Sequence, residues 1–491
     1  MTFQFKDIPG NSARQSVTNR ATVLLAHRLG VLVPLQFKKA AYSAPPRDRT
    51  INRTLVLLAL CLGVLVAQID TSVVNLATHA IGMTFQAGVA PLQWVLDAYN
   101  LVYAVLLLSG GLVADLYGRR RAFAIGAVIM AAGSLVCAFA PAIGVLISAR
   151  AFTGLGAALL LPSSLAIIRV VWPEPAARAR TLGIWASCNG LAFAIGPSIG
   201  GLLIEHFGWR SVFLLVVPLA SIAFALAWLS VPESADPEGR HFDLPGQLSG
   251  ALALGGLALA AITSHDGGYY WLAALLLTAL ALPVFLWSER KRSTAALVPL
   301  DLFRIRPFSG AIAATAGMTF GMYGLIFLLP LVLQADGHFT PGQAGFFMMP
   351  TALVFFAVST QSGRLVQYFG TRALTVGGTA VIGCGSLLVA ATHAGSPIWL
   401  AQLGLLFTAT GMGLNTGPLH GIAVSSVAQT RSGTASAMIN VARMAGATLG
   451  VALLGAVFAL LHGGAAGLHV ALLIGGLVQL TGALVAYRCI K

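Results

Sequence analysis

WVLDAYNLVYAVLLLSGGLVADLYGRRRAF, residues 94–123, decides the fold of this chain. An apolar run carries one acid, Asp97, near its start. It ends in Gly111, Asp115, Gly118 and the triplet Arg119-Arg120-Arg121, and a second apolar run begins at once. About 20 apolar residues suffice for an α-helix to cross a bilayer. Two membrane helices must therefore meet at a short basic hairpin, and Lys and Arg in short loops stay on the cytoplasmic side.

Composition agrees. The chain is 57% hydrophobic and 9% charged, where a soluble domain carries about a quarter charged residues. A net charge of +14 would on its own suit nucleic acid, but its distribution argues for a lipid bilayer as the partner. Of 29 Lys and Arg, 26 fall on the hairpin side of the apolar spans, Arg150 and Arg443 lie inside spans, and only Arg210 lies in a loop on the other side. This is the positive-inside pattern, and no nucleic-acid partner is expected. The five cysteines show no metal-ligand spacing, so no metal site is expected.

Working outward, residues 1–53 read as a basic, flexible cytoplasmic tail. Its apolar piece, 21–37, is short and interrupted by His27, Arg28 and Pro34. Six spans follow in 54–231. Residues 232–308 hold a polar linker, two extra spans and a basic connector, and six further spans fill 309–488. The reading is an all-α polytopic membrane protein with fourteen crossings and both termini cytoplasmic. An internal repeat supports it: Gly111, Gly118 and Arg120 recur 252 residues later as Gly363, Gly370 and Arg372, and Asn189 recurs 251 later as Asn440. Two parallel six-helix repeats plus two inserted helices are expected, with substrate near the midplane between the repeats.

The hairpin spacing, Gly-x-x-x-Asp-x-x-Gly-Arg-Arg, resembles the loop motif of the major facilitator superfamily, with Val113 and Leu116 departing from the usual residues. GPSIGG, containing Gly196, Pro197, Gly200 and Gly201, resembles the antiporter motif of that superfamily, and IDTSVVNLA (69–77) resembles the opening of its fourteen-span drug exporters. The resemblance implies the major facilitator fold and a proton-driven drug exporter in a bacterial inner membrane, working as a monomer.

A proton carrier needs a titratable group at membrane depth, where charge is costly and therefore functional by default. Of fifteen Asp and Glu, only Asp70 and Asp97 lie within spans, and the last six spans hold none. Asp70 is the expected coupling acid. Asp97, nearer the outer end, is a second candidate, as proton carrier or as a gate that attracts cations. By the resemblance, Arg150 tunes the proton site, and one Arg facing both acids is electrostatically sensible. Asn75, Tyr99, Asn189, Asn440 and Arg443 are candidate pathway residues. Gly111, Asp115, Gly118, Arg119 and Arg120 form the expected cytoplasmic gate, with ion pairs to neighbouring helix ends.

No GxxxxGK[ST] occurs, so the proton gradient rather than ATP is the expected energy source, with no cofactor. Spans rich in Phe, Met and Leu suit bulky small molecules. The two acids favour lipophilic cations, with neutral and zwitterionic compounds left open. An exporter of an endogenous metabolite is the nearest alternative. A polytopic membrane enzyme is remote, because no clustered His, Asp, Glu or Cys site is present.

Overall fold

The computed structural model describes residues 52–490 except 237–242, 265–267, 293–297, 336–338, 393–395 and 429–430. The tail to residue 51 therefore lies outside the described residues, as does the Asn189 side chain. Fourteen α-helices are present among the described residues. The first six are α1 (Arg53–Phe85), α2 (Val89–Tyr117), α3 (Arg119–Ala138), α4 (Ile143–Val171), α5 (Pro175–Phe207) and α6 (Arg210–Ser230). The inserted pair is α7 (Leu244–Thr263) and α8 (Tyr270–Arg292). The last six are α9 (Arg306–Gln334), α10 (Pro341–Phe369), α11 (Thr371–Ala390), α12 (Ile398–Ser425), α13 (Ser432–Leu460) and α14 (Gly464–Cys489).

By length and composition, twelve of these are long and apolar enough to cross a membrane. α5 carries Asn189 and a Gly-Pro pair, and α12 carries Gln402, Asn415 and several glycines. In bundles such residues serve close packing and internal hydrogen bonding.

The repeat is visible in the packing. In the first six helices α2 packs on α4, α3 on α4 and α6, and α1 on α5 and α6. Every one of these pairs recurs eight helices later, as α10 with α12, α11 with α12 and α14, and α9 with α13 and α14. The hairpins match too. Gly118 and Gly370 both turn the chain at positive φ, +114° and +78°, a region in which L side chains are strained. Beyond them, the Arg120 guanidinium lies 4.9 Å from the Trp228 ring of α6, and that of Arg372 lies 4.4 Å from the Tyr487 ring of α14.

The halves meet through α5 with α10 and α2 with α13, a pair of contacts that the repeat exchanges. Side-chain hydrogen bonds join the halves toward the end opposite the arginine hairpin. Gln93 Nε2 donates to the Val451 and Ala452 carbonyls at 2.8 Å each. Gln334 Nε2 donates to Leu76 O at 3.2 Å, and Glu205 accepts from Thr340 Oγ1 (3.2 Å) and Gly342 N (3.1 Å). At the hairpin end, the last turn of α10 is exposed. The molecule is sealed at one end.

Helices α7 and α8 sit at the periphery. α7 packs on both α2 and α13, across the seam, while α8 packs on α7 and presents most of its surface outward. Gln247 of α7 bonds Ser109 and the Val105 carbonyl of α2. The pair does not line the central cavity described below.

Close packing between α2 and α4 leads to a test. A Cβ on Gly110 would stand 2.0 Å from the Ala158 carbonyl oxygen, whereas one on Gly183 would meet nothing within 4 Å. Gly110→Ala should cost about 1–3 kcal/mol through overpacking and lower the melting point in detergent, while Gly183→Ala leaves it unchanged.

Candidate functional site

Two charged side chains from different helices meet at the centre of the first half. Asp70 lies midway along α1 and Arg150 near the start of α4. Arg150 Nη1 stands 2.5 Å from Asp70 Oδ2, with the two side chains 1% and 0% exposed. The guanidinium also donates through Nε to Val95 O at 3.0 Å. It lies 4.7 Å from the Tyr99 ring centroid and 5.9 Å from that of Phe213. Aromatic faces stabilise a desolvated cation by about 2 kcal/mol or more, which offsets part of the cost of removing it from water. Tyr99 is itself fixed, its hydroxyl donating to Ala67 O at 3.1 Å. Asp70 Oδ1 is buried with no hydrogen-bond partner, so the carboxylate is half satisfied and depends on one arginine.

Asp97 differs from the expectation. It is fully buried, and neither carboxylate oxygen has a hydrogen-bond partner. Asp97 has no exposed surface in this conformation. Arg150 pairs with Asp70 only. The cause is register: Val95, two residues earlier on α2, is what the guanidinium reaches.

The pathway residues fall in different places. Asn75 turns back on its own helix, Nδ2 donating to Thr71 O at 2.7 Å. Tyr99 belongs to the ion pair. Asn440 donates to Ser436 O (2.9 Å) and faces His420 Nε2 at 3.4 Å. Arg443, one turn from Asn440 on α13, lies beside Tyr103 of the other half, with Tyr323 and His420 near it.

A cavity between the halves is lined by none of these four. Met322, Met348, Met412 and Phe355 dominate it, Ser72 and Pro197 are its contribution from the first half, and Thr351 and Thr408 are its other polar walls. No acid reaches it.

The Gly-Pro motif of α5 makes this interface possible. A Cβ at Gly196 or Gly200 would collide with Ser72 or Val73 of α1, and one at Gly201 with the Pro341 carbonyl of α10. α5 is thus wedged between α1 and α10, where only glycine leaves room for both.

At the hairpin, Asp115 pairs with Arg119 at 2.8 Å, one turn away. The acid that organises the turn is Glu233, just past α6, which the sequence reading counted as a loop residue. It accepts the backbone N–H groups of Arg120 (3.1 Å) and Arg121 (3.2 Å) at the start of α3. An anion at a helix N-terminus is favoured by the unpaired N–H groups and the dipole. Two main-chain hydrogen bonds, Arg119 N to Ser234 O and Asp236 N to Asp115 O, tie the same strand of chain to the hairpin. Gly118 could not carry a side chain here, since its Cβ would stand 2.7 Å from Glu233 Oε1. The clasp holds the hairpin to its own half. Among the described residues there is no cluster of His, Cys, Asp and Glu able to hold a metal ion.

The model of the Major Facilitator Superfamily matches residues 60–451. The chain belongs to this superfamily. It is 35% identical over 395 residues to a Mycobacterium tuberculosis protein named multidrug resistance protein Stp, covering 80% of this chain and 73% of the relative. It is 30% identical to the methylenomycin A resistance protein of Streptomyces coelicolor (87% and 90% covered). To the multidrug efflux pump LfrA of Mycolicibacterium smegmatis it is 32% identical (80% and 79% covered). Among solved structures, the E. coli xylose transporter XylE in a partially occluded inward-open conformation superposes with a TM-score of 0.63 at 15% identity, over 89% of this chain and 99% of that one. The superfamily assignment makes the chain a multi-pass membrane transporter rather than an enzyme.

The ion pair predicts an asymmetry in stability. Arg150→Gln leaves Asp70 buried without its cation and should cost about 3–5 kcal/mol, whereas removing both charges in Asp70→Asn/Arg150→Gln is far better tolerated. Thermal unfolding in detergent should rank the double variant above the Arg150→Gln single.

Proposed function

We propose that this chain exports bulky lipophilic drugs across the bacterial cytoplasmic membrane in exchange for protons. The observation that carries the reading is the sealed Asp70–Arg150 pair, in a chain whose relatives are named drug-resistance and drug-efflux proteins. A proton that reaches Asp70 neutralises it. Arg150 is then a lone buried cation held by one carbonyl and two ring faces, and the favourable response is for α1 and α4 to shift until it finds water or a new partner. Loss of the proton restores the pair. Protonation thus changes the packing of α1, which carries Ser72 into the cavity wall and touches α5 along Gly196 and Gly200.

Alternating access follows from the seams. Glu205, Gln93 and Gln334 close the outer end in the present state, and opening it requires breaking those bonds while α5 and α2 rock against α10 and α13. The arginine hairpin, clasped by Glu233, moves with the first half as one body. In this reading all fourteen helices cross the membrane, both termini are cytoplasmic, the monomer is sufficient, and the proton gradient is the energy source with no cofactor. Asp97 is a second acid available to the same route.

Inverted membrane vesicles with a respiration-driven pH gradient test the reading. A transported compound collapses the gradient with the wild type. Asp70→Asn should abolish this response while the protein remains inserted. Collapse that survives Asp70→Asn and is lost in Asp97→Asn would move the coupling role to Asp97.

A further inference from the structure

The membrane-embedded charges of this chain are not all paired. Asp70 and Arg150 cancel at 2.5 Å. Arg443 has no ion pair among the described residues, and helices α9 to α14 contain no Asp or Glu to supply one. Its Nε is buried with no hydrogen-bond partner, while the residue as a whole keeps some exposed surface. None of the groups around it is an acid: Tyr103, Tyr323, His420 and the Asn440 amide one turn away. Asp97 stands on α2 six residues from Tyr103, about 9 Å along the helix axis, toward the sealed end.

An unpaired guanidinium at this depth is costly unless it has a task. Arg443 lies about 17 Å along α13, where the halves face each other. Tyr103 comes from the first half and Tyr323 from α9, between Met322 and Leu325, which line the apolar cavity. A cation with aromatic hydroxyls and an amide around it, at the seam where α2 and α13 bring the halves together, matches a ligand with one acidic group on an apolar body. Arginine suits a carboxylate in particular, since its fork offers two parallel N–H donors.

We propose that Arg443 is the anchor for an anionic group of the substrate. The transported compounds then include lipophilic acids, with the carboxylate on Arg443 and Tyr103. Because Tyr103 and Arg443 belong to opposite halves, a bound acid bridges them. This inference rests on the exporter reading for its purpose, but its test does not require transport.

The experiment uses the full chain in nanodiscs of zwitterionic lipid and three fluorescent probes with one apolar body: 1-pyrenebutyrate, its methyl ester and 1-pyrenebutylammonium. Binding is measured against empty discs. The wild type should bind the carboxylate at least tenfold tighter than the ester, with the ammonium weakest. Arg443→Gln should bring the carboxylate down to the ester, and Arg443→Lys should retain most of the preference. If Arg443→Gln fails to insert, Tyr103→Phe should weaken the carboxylate severalfold and leave the ester unchanged. The proposal is overturned if pyrenebutyrate shows no saturable binding, if ester or ammonium binds as tightly, if the preference survives Arg443→Gln, or if Tyr103→Phe weakens acid and ester alike. A charge preference that depends on Arg443 alongside absent proton exchange would refute the exporter reading and leave this one standing.

Discussion

One contact sets the terms for the rest of the first half: the Asp70–Arg150 pair, 2.5 Å apart and shut off from solvent. Two ions taken out of water cost several kcal/mol each, and their attraction repays this only with good geometry and further hydrogen bonds. The Val95 carbonyl and the faces of Tyr99 and Phe213 supply that support, so α1, α2, α4 and α6 each contribute a group to one guanidinium. Packing of the four helices and ionisation of one carboxyl are thereby a single equilibrium. A membrane protein that had only to fold would have little use for such an arrangement, since an apolar core of the same volume is often equally stable.

The second constraint is the exchange symmetry of the seams. The contacts of α5 with α10 and α2 with α13 are related by the repeat, the arrangement that the proposed rocking of one half on the other requires. Glycine sets how near they come: Gly201 meets the Pro341 carbonyl, Gly345 the Pro197 carbonyl, and Gly455 the Gln93 side chain. Close approach at the sealed end brings Gln93 and Glu205 into hydrogen-bonding range of the opposite half, and these bonds involve only a few groups. A seal of that kind can be broken and remade without unfolding anything.

Much of this was legible in the sequence because charge stands out in an apolar run. Asp70, Asp97, Arg150 and Arg443 announce themselves, and the repeated Gly and Arg spacing gives the two halves. What the sequence does not carry is which of these charges meet. Asp70 and Asp97 look alike as lone acids in spans, yet the register of α2 against α4 offers Arg150 the Val95 carbonyl and leaves Asp97 alone. Asn75, a candidate pathway residue, spends its amide on Thr71 of its own helix. The cavity was invisible for the opposite reason: Met322, Met348 and Met412 are apolar residues on apolar helices, and only the tertiary fold brings them together. Glu205 and Glu233 read as ordinary loop acids, because the main-chain N–H groups among their partners are invisible to any side-chain pattern.

The central claim is that the proton is carried by the carboxyl that Arg150 now holds. Infrared difference spectroscopy of the purified protein, acidified stepwise in lipid, measures it most directly. The account predicts that a protonated-carboxyl carbonyl band grows in the wild type as the Asp70–Arg150 pair is broken, and that this band is missing in Asp70→Asn and retained in Asp97→Asn. An identical band in wild type and Asp70→Asn would place the proton on another residue and contradict the account.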